Sequence, residues 1–571
     1  MKFNKIIYTV LVAAAMTSCD DKMNYNEYSV YDEDFIKETF ARAGGVLTSA
    51  YNDLDYDFGN YSGAMLSSAT DESVYSHSGN AVEGFYNGAW SSSNNLDASL
   101  WTKCWRGISY ANLYLDEFTG LTFDDYKVDV DYLQKMHQYN NFQFEARFLR
   151  AYYYFLLVRS FGGVPLKLNN MTADEANNLP RATVDEVFDF IDKECVEIKD
   201  TIVADYSNLG TDALSANETG RANKLAVLAL RARAALYHAS PLFSQSKSET
   251  EKKALWKAAA EANWAVIAEC RNRGMRLNPT YSNLFNKDNW SESNECIFVR
   301  RIQSSSNQFE RYNFPIGMEN AGGGNCPTQN LVDAYEMTNG KAIDENGSDY
   351  DPMNPYANRD IRLAATVAVN GESWPNDNPT PLETFEGGVN GMPIPYATTT
   401  GYYLKKYVNA SLKIGGTNTT TERHHWVIFR LGEFYLNYAE AMLNYTGSGY
   451  ETATGLTTSA SAAINTVRTR AKQPNMAEGL SFADFKKKYE NERFVELAFE
   501  GHRFYDVRRW MEAPAYFTSI KGMKITKGAD DQLTFTPQVI STRTWDDKMY
   551  LFPIAQSEVL KSGALTQNPG W

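Results

Sequence analysis

The sequence predicts a mainly α-helical protein in which a scaffold of successive helices carries a large irregular lobe. Apolar residues recur at the spacing of one buried helix face within residues 143–160. Alanine-rich segments at 221–237 and 253–270 provide small side chains, which allow neighbouring helices to approach closely. Two long stretches, about 56–96 and about 275–425, break this pattern and are rich in glycine, asparagine and serine. Because loops this long inside a compact protein are usually functional or disordered, they are the first place to look for a site.

The remaining helical segments show how the scaffold is organised. They are predicted at 35–54, 100–118, 184–202, 427–443, 462–470 and 482–499. Successive helices with small-residue contact faces are typical of tetratricopeptide-like hairpins, whose stacked repeats share one core. No regular repeat of about 34 residues is visible, so the prediction is a tetratricopeptide-like scaffold without a strict period. Tryptophan and tyrosine residues in the two irregular stretches argue against disorder and favour ordered loops.

Charge and composition narrow the range of partners. The 571-residue chain carries 70 acidic and 55 basic residues, a net charge of −15. This charge repels phosphate backbones and anionic lipid, so the sequence predicts no nucleic-acid partner and no direct electrostatic adhesion to a membrane. Aromatic residues make up 13% of the chain, including 36 tyrosines and 11 tryptophans. Side chains of this kind join an apolar ring to a polar group, which suits partly exposed binding surfaces as well as the core.

The N-terminus has the pattern of an export signal. Lys2 and Lys5 precede the apolar segment 6–16, which would span only about 16 Å as a helix, against about 30 Å for a bilayer core. We therefore interpret residues 1–18 as a signal peptide. The sequence that follows, MTSC at 16–19, is similar to a bacterial lipobox, although methionine replaces the more usual leucine.

The lipobox predicts how the mature chain is anchored. Cys19 is expected to carry the lipid and to become the first residue of the mature protein. Residues 19–32 are polar and suit a flexible tether, and residues 33–571 form the folded body. No later stretch reaches about 18 apolar residues, so no membrane-spanning helix is predicted in that body.

Motifs for catalysis and metal binding are absent from the sequence. It contains no GxSxG, HExxH, GxxxxGK[ST] or GxGxxG pattern. His424 and His425 are adjacent, which makes a poor chelate, and we expect them at an exposed helix entry. The sequence therefore predicts a protein that is not an enzyme and needs no cofactor, and it leaves open whether calcium takes part. A glycoside hydrolase needs only two carboxylates, however, so that alternative stays open among 70 acidic residues.

The five cysteines after Cys19 show no CxxC spacing, which disfavours a zinc ribbon or a redox motif. Their number is odd, so at least one must be unpaired within the chain. They are Cys104, Cys195, Cys270, Cys296 and Cys326.

Two segments carry charged residues at helical spacing and look catalytic at first sight. They contain Glu433, Asn437 and Glu440 in one case and Arg493, Glu496 and Glu500 in the other. We interpret the first set as a charged contact between helices. The second set is expected to form a structural ladder of pairs three and four residues apart along one helix face.

Seven blocks, taken in order, closely resemble the RagB/SusD family of Bacteroidetes outer-membrane lipoproteins. They are WTKCWRGI at 101–108 with AN at 111–112, EARFLRA at 145–151 with FGGVP at 161–165, PTQ at 327–329 with DAYEM at 333–337 and NRD at 358–360, RL at 430–431 with NYAEA at 437–441, ERFVELAFEGHR at 492–503 with DVRRW at 506–510, LFPI at 551–554, and QNPGW at 567–571. The resemblance implies a tetratricopeptide-like scaffold with an irregular lobe and no catalysis. It also implies a lid-like position on a SusC-like TonB-dependent transporter in the outer membrane.

Ligand residues do not follow from the family blocks, because ligand contacts in the family come from variable loops. Sugars present flat C–H faces and many hydroxyls, so a site for them needs aromatic rings beside polar groups. The candidates in the irregular stretches are Asp71, Tyr75, Tyr86, Trp90, Trp290, Tyr312 and Trp374. The resemblance implies a ligand that is usually an oligosaccharide and sometimes a peptide, so the predicted function is a cell-surface, lipid-anchored protein that captures an oligosaccharide and passes it to the transporter. A peptide-binding member of the same family and a surface glycoside hydrolase are the alternatives.

Overall fold

The computed structural model describes residues 32–206, 220–286, 293–374 and 378–571. The predicted signal peptide, Cys19, the tether up to residue 31 and Trp290 lie outside these residues. The main helices are α1 (Phe40–Tyr51), α2 (Ala98–Glu117), α3 (Tyr132–Phe161), α4 (Val184–Ile198), α5 (Lys224–Ala239), α6 (Glu249–Asn272), α7 (Leu431–Thr446), α8 (Ala460–Arg470), α9 (Phe482–Glu496) and α10 (Arg503–Arg509). Shorter helices are Glu33–Lys37, Ala173–Asn177, Pro241–Ser244, Gln308–Asn313, Gln329–Ala334, Ile361–Thr366, Ala513–Phe517 and Gln556–Lys561.

The long helices pack on one another in chain order, which confirms the predicted mainly helical, tetratricopeptide-like scaffold. Each of α1 to α7 contacts the next main helix along the chain, and α9 packs on α7. Small residues permit the closest approaches. A Cβ atom on Gly107 of α2 would overlap the ring of Tyr153 on α3, so only glycine allows these two helices to meet there.

The described strands are mostly short, and all but the last two begin in the irregular stretches. They are β1 (Ser73–Tyr75), β2 (Cys296–Arg301), β3 (Asn325–Pro327), β4 (Val367–Ala368), β5 (Ser373–Trp374), β6 (Asn378–Pro381), β7 (Tyr403–Leu404), β8 (His425–Arg430), β9 (Ser519–Lys527) and β10 (Leu533–Thr542). They pair antiparallel as β1–β3, β2–β8, β4–β7, β5–β6 and β9–β10. In the first pair Val74 lies opposite Cys326, so the sheet joins the two irregular stretches.

The predicted helix at 427–443 is wrong at its start, since residues up to Arg430 belong to β8 and α7 begins at Leu431. Every residue of β8 is buried, and a short, fully buried run of aromatic and β-branched residues does not distinguish strand from helix. The expected exposed position of the histidine pair is also wrong. The Nε2 atom of the buried His425 lies 3.0 Å from the Leu284 carbonyl, and His424 Nε2 lies 2.9 Å from a carboxylate oxygen of Glu310.

The predicted charged contact between helices is confirmed. Glu433 on α7 accepts hydrogen bonds from Arg233 on α5, one of them 2.7 Å long. Farther along α7, Glu440 accepts a 2.7 Å hydrogen bond from Arg509 on α10. α7 therefore presents buried carboxylates to arginines on two other helices, which explains the charged pattern without catalysis.

The predicted ladder from Arg493 to Glu500 is buried and structural, but its pairing is wrong. α9 ends at Glu496, so Glu500 does not continue the helix face. Arg493 instead donates a 2.7 Å hydrogen bond to Asp506. Glu500 accepts hydrogen bonds from Arg430 and Lys406, each 2.7 Å long. The spacing along the sequence identified charged residues that need partners, but the partners come from other parts of the chain.

The five cysteines of the described residues are all free. Burial raises the pKa of the Cys195 thiol and that of Cys104, so neither is a reactive thiolate at neutral pH. Within the part of the chain that the structure describes, none of the helices is both long enough and apolar enough to cross a membrane.

Candidate functional site

An aromatic stack runs from the interior to the surface where strand β1 ends. The rings of Tyr75 and His77 are stacked with centroids 5.1 Å apart, and His77 and Tyr396 are stacked at 4.0 Å with an interplanar angle of 13°. Tyr75 is buried and His77 is half-buried, whereas Tyr396 is 56% exposed. We call His77 and Tyr396 the aromatic platform. It offers solvent an aromatic surface that is held in place by the ring below it.

The backbone beneath the platform depends on a run of three glycines, residues 322–324. The Ser76 amide donates to the Gly324 carbonyl at 2.9 Å, and His77 Nε2 lies 2.7 Å from the Gly322 carbonyl. A Cβ atom on Gly323 would clash with the carbonyl oxygen of Tyr396. Gly323 also has a positive φ of 75°, a conformation that favours glycine. The glycine run therefore allows the chain around Tyr396 to cross directly over it and to place the ring on His77.

Tyr312 and Gly63 complete the base of the stack. A Cβ atom on Gly63 would overlap the hydroxyl of Tyr75 and would lie 3.0 Å from the ring of Tyr312, so the two rings meet over this glycine. Burial raises the pKa of Tyr75 to about 12. Its hydroxyl therefore stays protonated at neutral pH, 3.4 Å from the Ser62 carbonyl, and anchors the lower end of the stack.

A groove with a volume of about 450 Å³ lies along the segment that leads to the glycine run. Its lining combines apolar Met318 and Ile414 with the polar side chains of Glu319, Lys413 and Asn418. The loop 389–396, which carries Tyr396, is joined to this segment because the Asn390 side chain donates to the Ile316 carbonyl at 2.6 Å. Val389 and Met392 of the same loop are exposed. Aromatic, apolar and hydrogen-bonding groups thus lie on neighbouring segments of one surface, a combination that can bind a ligand with flat apolar faces and polar edges.

Three of the sequence-predicted ligand residues are buried parts of the fold, which corrects that expectation. Trp90 is 2% exposed, and its ring packs edge-on against Phe85, Phe552 and Trp571. Trp374 is buried against Phe314. Asp71 is buried in an ion pair with Arg503, with hydrogen bonds of 2.9 and 2.7 Å. None of these side chains presents its ring or carboxylate to solvent.

The other predicted residues have mixed positions. Tyr75 and Tyr312 lie at the base of the platform but do not form its outer face. Tyr86 is half-buried, and the Arg543 guanidinium lies over its ring at 4.2 Å. Trp290 lies outside the described residues. The sequence-based prediction missed His77 and Tyr396, although both fall in the two irregular stretches that it identified.

Within residues 32–206, 220–286, 293–374 and 378–571, no group of three or more His, Cys, Asp or Glu side chains is arranged to hold a metal ion. The platform itself consists of stacked rings, one of which bonds a backbone carbonyl. Its geometry is suited to binding by stacking.

Known proteins resemble this chain over almost its whole length. A family model described as the SusD family matches residues 294–571, and a SusD-like model described as starch-binding and associating with the outer membrane matches residues 26–236. A SusD-like protein, P2, from Formosa agariphila is 24% identical over 499 residues, which cover 84% of this chain and 81% of that protein.

Solved structures share the fold. A SusD-like protein from Bacteroides fragilis has a TM-score of 0.73 at 23% identity, covering 94% of this chain and 98% of that one. A SusD-like carbohydrate-binding protein from the same species has a TM-score of 0.71 at 22% identity, with 93% and 100% covered. A laminarin-binding SusD-like protein has a TM-score of 0.61 at 19% identity, with 93% and 99% covered. The two family models match both halves of the chain, and the fold agrees, so this chain belongs to the SusD family.

Proposed function

We propose that this protein binds an oligosaccharide at its surface through the aromatic platform and does not cleave it. The observation that carries the proposal is the exposed ring of Tyr396, fixed on His77 beside a polar groove. Two structural relatives are named for carbohydrate binding and for laminarin binding, which supports the same ligand class here.

The platform suits a sugar for physical reasons. The C–H face of a pyranose can stack on Tyr396, a contact worth about 0.5–1.5 kcal/mol beyond area burial by analogy with aromatic pairs. Hydroxyls at the edge of the sugar can bond Glu319, Lys413 and Asn418 in the groove. A few such contacts give on the order of −4 to −6 kcal/mol, which corresponds to a Kd between millimolar and tens of micromolar.

Weak binding fits a protein that must release its ligand. We propose that the mature chain is anchored through lipid on Cys19, faces outward from the outer membrane and hands the oligosaccharide to a SusC-like TonB-dependent transporter. The lipobox-like sequence and the family model described as associating with the outer membrane support this placement. Two acyl chains or more are needed for stable anchoring, and a lipoprotein cysteine carries them.

The test compares Tyr396→Ala with Phe482→Ala, which removes another exposed aromatic ring, at the start of α9. Calorimetry against a panel of plant, microbial and host glycans should show binding by the unmodified protein and by Phe482→Ala. Tyr396→Ala should weaken binding by about tenfold or more, which corresponds to about 1.4 kcal/mol, with the Tm unchanged.

Three results would contradict the proposal, and each points elsewhere. Undiminished binding by Tyr396→Ala would place the site away from the platform. Shorter sugars found by chromatography would show a glycoside hydrolase. Peptide binding without binding of any glycan in the panel would show a peptide-binding member of the family.

A further inference from the structure

A second cavity, of about 330 Å³, opens between the loop 53–61, helices α2 and α3, and strand β8. Its rim includes the exposed Asn60 and Ser99, and its floor includes Arg159, which is 9% exposed. The cavity has no lining residue in common with the aromatic platform or with the groove beside it. Asp57, Asn60 and Tyr61 line the cavity, whereas the carbonyl of the next residue, Ser62, accepts a hydrogen bond from the hydroxyl of Tyr75.

Arg159 is an unusual residue for a buried position. Its guanidinium lies over the ring of Tyr505 at 3.8 Å, and its nearest carboxylate oxygen, on Asp55, is 3.7 Å away. Among the described residues the buried Nε–H of Arg159 has no hydrogen-bond partner. Buried donors of this kind are nearly always satisfied, because an unmet hydrogen bond in the interior is costly. That Nε–H is itself inaccessible, but Arg159 lines the cavity, so its terminal guanidinium nitrogens can donate to a ligand's oxygen atoms.

Acceptors face the same cavity. The Asp57 carboxylate accepts hydrogen bonds from the backbone amides of Asn60 and Leu66, at 3.2 and 2.6 Å. The Asp97 carboxylate accepts a hydrogen bond from the hydroxyl of Tyr61. Both carboxylates line the cavity together with Asp55. Burial raises the pKa of Asp57 and that of Asp97 to about 6 in each case, so both are mainly ionised acceptors at neutral pH.

The mixture of acidic and basic side chains in the cavity lining favours a neutral ligand. The lining carries the carboxylates of Asp53, Asp55, Asp57, Asp97 and Glu500 and the cations of Lys103, Arg159 and Arg233, so a charged ligand of either sign would meet groups of its own charge. A neutral molecule with many hydroxyls can accept from the arginine and donate to the aspartates at the same time. The ring of Trp426, which also lines the cavity, adds an apolar surface. The volume lies at the small end of the range of about 300–1,000 Å³ for small-molecule sites, which fits one ring and not a chain.

We infer that this cavity binds a single neutral sugar ring, either as a free monosaccharide or as the end of a chain. Arg159 donates to the ring hydroxyls, and Asp55, Asp57 and Asp97 accept from them. The inference goes beyond the proposed platform and does not depend on it, since the two sites share no residue.

The experiment uses the whole mature protein and the probes glucose, galactose, mannose and N-acetylglucosamine, with their methyl glycosides and disaccharides. Saturation-transfer NMR detects binding, and calorimetry measures the Kd. Ser99→Trp places a large side chain at the exposed rim, and Ser93→Trp makes the same change on an exposed loop away from the cavity. Arg159→Lys keeps the charge beside Asp55 but removes the planar set of donors.

We expect at least one probe to bind the unmodified protein, Ser93→Trp and the platform variant Tyr396→Ala alike. Ser99→Trp should abolish this binding, and Arg159→Lys should weaken it by about tenfold or more. Equal binding of the methyl glycoside or disaccharide identifies a chain end, whereas binding of the free sugar alone identifies a monosaccharide.

Three outcomes overturn the inference. They are the absence of binding by every probe at millimolar concentration, binding that survives Ser99→Trp, and binding that Arg159→Lys leaves unchanged. Loss of probe binding in Tyr396→Ala but not in Ser99→Trp would assign the sugar to the platform instead. The two proposals therefore fail in distinguishable ways.

Discussion

Removal of the Glu496 carboxylate should destabilise the protein, because this group joins three buried arginines. Glu496 is the last residue of α9 and is fully buried. It accepts hydrogen bonds from Arg362 at 2.8 Å and from Arg430 at 2.7 Å, and it also pairs with Arg470. Burial alone raises the pKa of a carboxyl, but here the guanidiniums of these arginines outweigh it and hold the pKa of Glu496 well below its ordinary value.

The size of the effect follows from what each arginine retains in Glu496→Ala. Arg362 keeps Asp360 and Glu492, Arg430 keeps Glu295 and Glu500, and Arg470 keeps Glu295, so no cation is left entirely alone. Loss of one partner costs about 3–5 kcal/mol when it leaves a buried charge uncompensated, and because each arginine here keeps a carboxylate we expect the lower end, about 3 kcal/mol. With about 2.1 cal mol⁻¹ K⁻¹ of unfolding entropy per residue, 571 residues give about 1.2 kcal mol⁻¹ K⁻¹. The Tm should therefore fall by about 2.5 °C.

The test measures the Tm of Glu496→Ala by calorimetry and compares it with the Tm of the control variant Glu558→Ala. Glu558 forms a partly exposed pair with Lys561 at 2.6 Å, and such pairs contribute at most about 1 kcal/mol. Because the folded-state pKa of Glu496 is depressed, its stabilisation is present above the ordinary pKa of 4.5 and declines as the pH falls below it. Melting of Glu496→Ala within a degree of the unmodified protein at neutral pH would refute the reasoning.

Three further predictions test other parts of the structure. Cys19→Ala should release the protein from membranes or leave it unprocessed, and recovery of the variant in the membrane fraction at normal level and mature size would contradict lipidation. Trp90→Ala should cost about 3–5 kcal/mol of stability because the ring is buried, whereas unchanged melting with lost glycan binding would restore Trp90 as a ligand residue. Burial raises the pKa of Glu72 to about 8. The unmodified protein should therefore lose stability relative to Glu72→Gln as the pH rises from about 4.5 to 8. Tm profiles of the two proteins that run parallel over this range would rule out the raised pKa.

The helical scaffold could be predicted from the sequence because helix formation and burial repeat over a few residues. The segment predicted at 143–160 lies within α3, and the alanine-rich segments correspond to α5 and α6. The same local patterns identified the two irregular stretches, and the family blocks indicated the fold. Each of these properties depends on residues that are near one another in the chain.

The candidate site and the partners in the charge network could be identified only from the tertiary structure. The exposure of a ring and the pairing of a charge depend on residues that are distant in the sequence. Trp90 is an aromatic residue in a loop, like Tyr396, but the remote Phe552 and Trp571 cover the first ring and leave the second open. Glu496 needs a cation, yet its partners lie up to 134 residues away. Composition and spacing therefore indicated which residue types are suited to contact a ligand and which charges required partners. Only the packing of distant segments decided which ring faces solvent and which charges meet.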